Sequence, residues 1–234
     1  MNQPHKKRNK QRRQLWGRAQ GRPLSPYQME LMETIFPNYK LSLDKALHAF
    51  LSKYEKRSLE IGFGNAGHLL HRAKENPNTL YIGVDPYLNG VAKAVVGIHE
   101  ARIKNIRLHH GDVRDVFSCL RDASLDEIYI LYPDPWPKTR HYKRRLIQEQ
   151  IISEFYRSLK LSAPLYFASD IVSYVDWALA RILRYKTTHR SGFIWEVENC
   201  ADWLTPYPTW PSTRYEAKAI REGRTPHYFT FLKR

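Results

Sequence analysis

Leu59-Glu60-Ile61-Gly62-Phe63-Gly64-Asn65-Ala66-Gly67-His68-Leu69-Leu70 decides the fold. It reads as a strand end, a glycine-rich turn and a helix start, and glycines there let the backbone turn sharply and approach a ligand closely. Leu80 to Asp85 follows as an apolar strand ending in an acid. The stretch from Leu88 to Ile103 puts Val91, Ala94, Val95 and Ile98 on one helical face. Asn105 to His109 reads as a third strand with Gly111-Asp112 at its end, and Leu125 to Leu131 as a fourth. Leu165 to Ser169, ending at Asp170, reads as a fifth, with helices over 146–159 and 174–183. Strands alternating with helices imply an α/β fold with a parallel sheet and right-handed crossovers. Upstream, Tyr27 to Phe36 is expected to be a short helix closed by Pro37, and Leu41 to Tyr54 a packing helix led by Leu43, Ala46, Leu47, Phe50 and Leu51. Downstream, His227 to Leu232 alternates like an edge strand, one of a pair expected to close the sheet.

Composition narrows the function. A chain of 234 residues with 42% hydrophobic and 13% aromatic content has ample length for a core. No apolar run approaches the roughly 20 residues of a membrane span, and the basic amino terminus lacks the apolar segment of a secretory signal. Cys119 and Cys200 cannot make a disulfide framework and show no metal-site spacing, so a reducing cytoplasm is expected and no metal. Lys and Arg number 38 against 23 acids, a net charge of +15. Lys6, Lys7, Arg8, Lys10, Arg12, Arg13, Arg18 and Arg22 lie among residues 1–23, which hold no acid. Such an arm binds polyanions and orders when it does so, which makes nucleic acid the natural partner. The expected division is therefore an arm over 1–23 and one domain over 24–234.

After the fourth strand comes Tyr132-Pro133-Asp134-Pro135-Trp136-Pro137-Lys138, then Arg140-His141-Tyr142-Lys143-Arg144-Arg145. Three prolines in five residues can neither continue a strand nor enter a helix interior. The result is a stiff loop at a strand's carboxyl end, where open α/β sheets place ligands. It offers one carboxylate, one flat aromatic surface and five cations, a set suited to a nucleobase and its phosphates.

Gly62-Phe63-Gly64-Asn65-Ala66-Gly67 matches the dinucleotide fingerprint G-x-G-x-x-G, with Asp85 18 residues beyond Gly67. Glu60 argues against a pyrophosphate at that turn, because a carboxylate there would repel it. An ammonium group, such as that of S-adenosylmethionine, suits it better. Glu60, Asp85, Asp112 and Asp134 follow four successive strands and are expected around one cleft, although strand-end acids also cap helices.

Together these residues resemble the class I methyltransferases, and within them the bacterial tRNA (guanine-N7-)-methyltransferase (TrmB) family. The resemblance rests on Leu59-Glu60-Ile61-Gly62-Phe63-Gly64, the Pro133-to-Arg145 loop, Ala168-Ser169-Asp170, Thr213-Arg214-Tyr215-Glu216 and Glu222-Gly223. It implies a Rossmann-like fold with a mostly parallel seven-stranded sheet and helices on both faces. It implies S-adenosylmethionine as cofactor, held by Glu60, Gly62, Gly64, Asp85, Asp112 and Asp134, with Asp134 also catalytic. By the same resemblance Lys138, Asp170, Thr213, Arg214, Tyr215 and Glu216 would contact the substrate, and Arg140, His141, Tyr142, Lys143, Arg144 and Arg145 the RNA. The implied substrate is a guanosine of the tRNA variable loop, and the implied assembly a monomer or homodimer. The chain departs from the family at Ala66, where a glycine is usual, at Asp85, where glutamate is frequent, and at Leu161-Ser162-Ala163-Pro164, which lacks a glycine pair. Three other functions stay open on the residues alone: an amino-group methyltransferase using the Asp134-Pro135-Trp136-Pro137 loop, a non-catalytic RNA-binding protein, and an oxidoreductase.

Overall fold

The computed structural model describes residues 16–17, 19–44, 46–189, 191–199 and 201–234. Seven strands form one sheet: β1 (Lys56–Ile61), β2 (Thr79–Asp85), β3 (Ile106–His110), β4 (Glu127–Leu131), β5 (Pro164–Ser169), β6 (Phe193–Trp195) and β7 (His227–Lys233). Their order is β3-β2-β1-β4-β5-β7-β6. The first five run parallel, and β7 pairs antiparallel with both β5 and β6. The expected strand pair closing the sheet is present. Every residue of β2 is buried, as expected for a strand covered on both faces.

Two cores lie on opposite sides of the sheet. One packs Leu69 and Ala73 of α4 (Gly67–Glu75) and Val91, Val95 and Ile98 of α5 (Leu88–Glu100) against Tyr81, Ile106 and Leu108, with Leu31 of α1 (Pro26–Thr34) over them. The other packs α6 (Val113–Phe117), α7 (Glu149–Ser158) and α8 (Val172–His189) through Phe117, Ile152, Phe155, Tyr174 and Ile182 on Leu59, Ile61, Ile128 and Phe167.

Three elements differ from the sequence reading. The helix expected over 41–54 shrinks to α3 (Leu47–Leu51). Leu41 instead donates its N–H to Leu108 O at 2.8 Å, and Lys40 bridges Leu108 in parallel beside β3. Asp44 then turns the chain, accepting from Ser42 Oγ at 2.6 Å and from Ala46 N at 2.8 Å. The helix expected over 27–36 breaks at Ile35, and Pro37 sits in the first turn of a second short helix, α2 (Phe36–Tyr39). The helix expected over 174–183 extends to Val172–His189.

Most of the basic arm, residues 1–15 and Arg18, lies outside the described residues. Its last residues are docked rather than free. Leu88 N donates to Ala19 O at 2.9 Å, Gly21 N to Asn89 Oδ1 at 2.7 Å, and Asn89 Nδ2 to Arg22 O at 2.7 Å. These bonds pin the arm's end to the amino-terminal turn of α5.

Candidate active site

The strand order reverses between β1 and β4, and crevices beyond the carboxyl ends of strands at such a point bind ligands in open α/β sheets. A cleft of about 1010 Å³ lies there, lined by the glycine turn, Asp85, Asp112, Asp134, Trp136, Tyr215 and, from the arm, Trp16 and Gly17. Gly62 and Gly64 have φ of +75° and +58°, so the turn needs residues without a Cβ. Ala66, the departure from the family pattern, also takes a left-handed φ of 62°, at a cost of about 1–2 kcal/mol.

Sequence reasoning missed Gly90. A Cβ at this position would lie 2.3 Å from the carbonyl oxygen of Gly64. The first turn of α5 therefore presses directly on the glycine turn, and the lack of a side chain at 90 sets their separation. Gly90→Ala should push the two apart, costing about 1–3 kcal/mol as overpacking does. Calorimetric titration with S-adenosylmethionine should then show affinity reduced at least ~10-fold, one factor of ten being about 1.4 kcal/mol. Unchanged affinity would show that the contact does not shape the cleft.

Of the four strand-end carboxylates, three line the cleft: Asp85, Asp112 and Asp134. Asp85 accepts from the N–H of Gly64 and of Tyr87, both at 2.8 Å. Burial nevertheless pushes its carboxyl up to about 6, with Asp134 and Glu60 adding repulsion. Asp112 caps α6, accepting from Arg114 N at 2.9 Å, and is ion-paired with Arg114 Nη2 at 2.6 Å. Asp134 is open to the cleft, yet desolvation by the protein around it raises its carboxyl above the usual range.

Glu60 stands apart from the other three. It does not line the cleft. Strand alternation sends its side chain to the face of its register partner Tyr129, where it is 3% exposed. Its Oε2 lies 2.7 Å from His68 Nδ1, and His68 Nε2 lies 2.5 Å from the Tyr207 hydroxyl. The network assigns the proton on Nδ1 to the Glu60 bond and leaves Nε2 to accept from Tyr207. Tyr129, Tyr207 and Trp210 surround the imidazole, at centroid distances of 4.8, 6.3 and 5.7 Å.

The loop after β4 carries its own strain. Tyr132 and Trp136 have φ of 51° and 41°, a region disfavoured for aromatic residues. Tyr132 N donates to Ala168 O at 2.8 Å, which ties the loop's start to β5. The basic run then forms a 3-10 turn, Thr139–Arg144. Lys138, Arg140 and Lys143 are exposed. His141 packs edge-on to Trp136 at 5.8 Å, and desolvation with the cations Arg144, Arg140, Lys138 and Lys143 lowers its pKa. Arg144 sits between Trp16 at 4.2 Å and Trp136 at 4.9 Å. The run is not a uniform RNA-facing set. Arg145 is 1% exposed and turns inward. Tyr142 is half-buried, its ring between the Arg145 guanidinium at 3.8 Å and Trp177 at 5.1 Å. Arg145 therefore does not present its side chain as the RNA contact expected from the sequence, while Tyr142 stays partly exposed.

Thr213-Arg214-Tyr215-Glu216 opens α9 (Arg214–Arg221). Thr213 Oγ1 accepts from Glu216 N at 3.1 Å and Glu216 Oε2 accepts from Thr213 N at 3.0 Å, a reciprocal capping box. Glu216, 5% exposed, also accepts from Trp210 Nε1 at 2.9 Å and from the Tyr228 hydroxyl. The outer pair thus builds the helix start, while Arg214 and Tyr215 line the cleft. Asp170 and Lys138 do not line it. Asp170 is paired with Arg224 Nε at 2.6 Å, and Arg224 also pairs with Glu222, tying the end of α9 to the end of β5.

Among the described residues no group of three His, Cys, Asp or Glu side chains is arranged to hold a metal ion, and no helix is long and apolar enough to cross a membrane. Residues 55–229 match a family model described as "Putative methyltransferase". A tRNA (guanine-N(7)-)-methyltransferase of Bartonella quintana is 43% identical over 226 residues, covering 94% of this chain and 95% of the relative. One of Rhizobium johnstonii is 44% identical over 223 residues, covering 93% and 94%. Solved structures share the fold at low identity. The 16S rRNA methyltransferase KamB superposes with a TM-score of 0.56 at 13% identity, over 82% of this chain and 94% of that one. The aminoglycoside resistance methyltransferase NpmB1 gives 0.54 at 16%, over 84% and 95%. With a sheet of the class I order and relatives matching nearly end to end, the chain belongs to the tRNA (guanine-N7-)-methyltransferase family of class I methyltransferases.

Proposed function

We propose that this protein transfers a methyl group from S-adenosylmethionine to N7 of a guanosine in the variable loop of tRNA. The observation that carries the reading is the meeting of Asp134, Trp136 and Arg144 with the glycine turn at one cleft, in a chain of this family. The cofactor fits what lines that cleft. Its cationic methionine portion suits a wall of carboxylates, and the bare backbone of Gly62 and Gly64, under Gly90, leaves room for close approach. Asp85 offers its remaining lone pairs to ribose hydroxyls, and Asp112 an acceptor for the adenine amino group in competition with Arg114. When bound, S-adenosylmethionine supplies the electrophilic methyl.

Guanine N7 has an in-plane lone pair and no proton, so the protein needs no general base to make it nucleophilic. The ring turns cationic as the methyl arrives. What the chain contributes is orientation for in-line approach and electrostatic support for the developing charge. Asp134 accepts from the guanine N1 and amino protons and lends its negative charge to the methylated ring. Arg214 and Tyr215, presented by the capped start of α9, border the base. Arg140 and Lys143 bind phosphates, which positions the tRNA without reading its bases. The arm adds sequence-independent attraction, and the protein works in the cytoplasm on its tRNA as a monomer or homodimer.

Asp85 gives the cofactor step a pH dependence. Burial raises its folded pKa to about 6 from 3.8, so its contribution to stability is full below the unfolded value and is lost as pH rises through about 6. The ligand-free protein therefore carries an unfavourable buried charge at neutral pH, which a cationic ligand relieves. Protonation below about pH 6 removes acceptor capacity and charge, so cofactor affinity should fall toward tenfold per pH unit there. Titration calorimetry between pH 5 and 8 checks this, and an affinity flat across that range would remove Asp85 from the site.

The reaction itself is tested by incubating the protein with S-adenosylmethionine and unmodified tRNA and digesting the product to nucleosides. 7-Methylguanosine is expected. N6-methyladenosine or a methylated cytosine amino group would move the loop to amino-group chemistry.

A further inference from the structure

We propose that Arg145 is a positioning residue that holds the Asp134 loop in its active shape, and not a contact to RNA. This rests on the reading of Asp134 given above. Although it ends a basic run and borders the cleft, Arg145 is 1% exposed. Its Nε donates to Pro135 O at 2.8 Å, its Nη1 to Ser173 O at 2.9 Å and its Nη2 to Ser173 Oγ at 3.3 Å. The guanidinium lies over the rings of Tyr142, Tyr174 and Trp177, at 3.8, 5.0 and 5.2 Å. Among the described residues no carboxylate forms a salt bridge with it.

A buried cation with no counter-charge is costly, and here two carbonyls, the Ser173 hydroxyl and aromatic faces compensate it. That expense is tied to a particular backbone. Pro133, Pro135 and Pro137 have no N–H, so the loop has fewer donors with which to brace itself by turn hydrogen bonds. It is bounded by two aromatic residues in the left-handed region, Tyr132 and Trp136, a conformation that persists only where its surroundings over-determine it. Tyr132 N fixes the near end to β5. Arg145 fixes the far end at the carbonyl of Pro135, the residue directly after Asp134, and refers it to the first turn of α8. The planar fork of the guanidinium meets both sites at once while stacking on rings, which a lysine ammonium cannot do.

The test compares Arg145→Lys with Arg145→Met, measuring kcat and KM for tRNA together with the dependence of tRNA affinity on salt. The proposal expects kcat reduced at least ~30-fold in both, KM for tRNA within about threefold, and an unchanged salt slope, since no phosphate contact is lost. Lys143→Ala, an exposed phosphate contact, should give the opposite split, a higher KM and a slope smaller by about one. A normal kcat at saturating tRNA in Arg145→Lys, or a slope reduced in either Arg145 variant, overturns the proposal. If the variants do not fold, arginine-directed dicarbonyl labelling of the wild-type protein decides. Arg145 should stay unlabelled with and without tRNA while Arg140 is labelled and then protected, and labelling of Arg145 that tRNA suppresses would refute the assignment.

Discussion

Asp134→Ala is expected to lower methyl transfer at saturating substrates by at least ~10³-fold, about 4 kcal/mol of transition-state stabilisation, while tRNA binding stays within a few-fold. The reason lies in where the charge goes. Guanine is neutral on entry and cationic on leaving, so a fixed carboxylate beside it stabilises the transition state more than the ground state, and such differential binding raises kcat. Desolvation raises the Asp134 carboxyl, so the protein alone disfavours its ionised form and an arriving cation restores it. Asp134→Asn should be nearly as damaging, since an amide keeps the shape but loses the charge and presents a donor to the guanine protons. Single-turnover methyl transfer and equilibrium tRNA binding separate the two contributions. A variant with weak tRNA binding and normal turnover at saturation would make Asp134 a docking residue only.

His68→Ala should destabilise the protein by about 3 kcal/mol, the cost of leaving a buried carboxylate without its hydrogen-bond donor. Glu60 and His68 are 3% and 4% exposed and bonded at 2.7 Å, and among the described residues the ring's further hydrogen bond is to the Tyr207 hydroxyl. Water cannot readily replace the imidazole among Tyr129, Tyr207 and Trp210. Replacing both partners, as Glu60→Gln with His68→Leu, should recover much of the loss, because the penalty belongs to the orphaned charge rather than to the missing bond. Urea denaturation of the single and double variants measures both effects. If Glu60 instead served the cofactor directly, His68→Ala would leave stability near wild type.

The glycine turn and the strand–helix alternation were legible because both are local signals. Gly62 and Gly64 declare a backbone that only glycine adopts readily, and the runs at 80–85 and 125–131 declare buried strands. The helix read over 41–54 failed because apolar spacing is local while the choice at Leu41 is tertiary: the Leu108 carbonyl beside it offered a better partner than a helical turn. Arg145 was unreadable for another reason. In a run of five cations nothing distinguishes the one that turns inward, and only the spatial neighbours Pro135 and Ser173 do so. The bond from Glu60 to His68 was hidden in the same way, because a strand-end acid looks the same whether it faces the cleft or a neighbouring helix, although strand alternation puts it on the face opposite Ile61. The capping box at Thr213 was visible as T-x-x-E, and it divides the motif into a structural outer pair and the cleft-lining Arg214 and Tyr215. Gly90 offered one usable signal, a glycine in the first turn of the helix that follows a glycine-turn strand.

The most direct measurement is methyl transfer from labelled S-adenosylmethionine to unmodified tRNA, followed by chain scission specific for 7-methylguanosine. One cut, in the variable loop, is the predicted result, and it must vanish with Asp134→Ala. Label incorporated without a cut, or a cut elsewhere in the tRNA, would contradict the account.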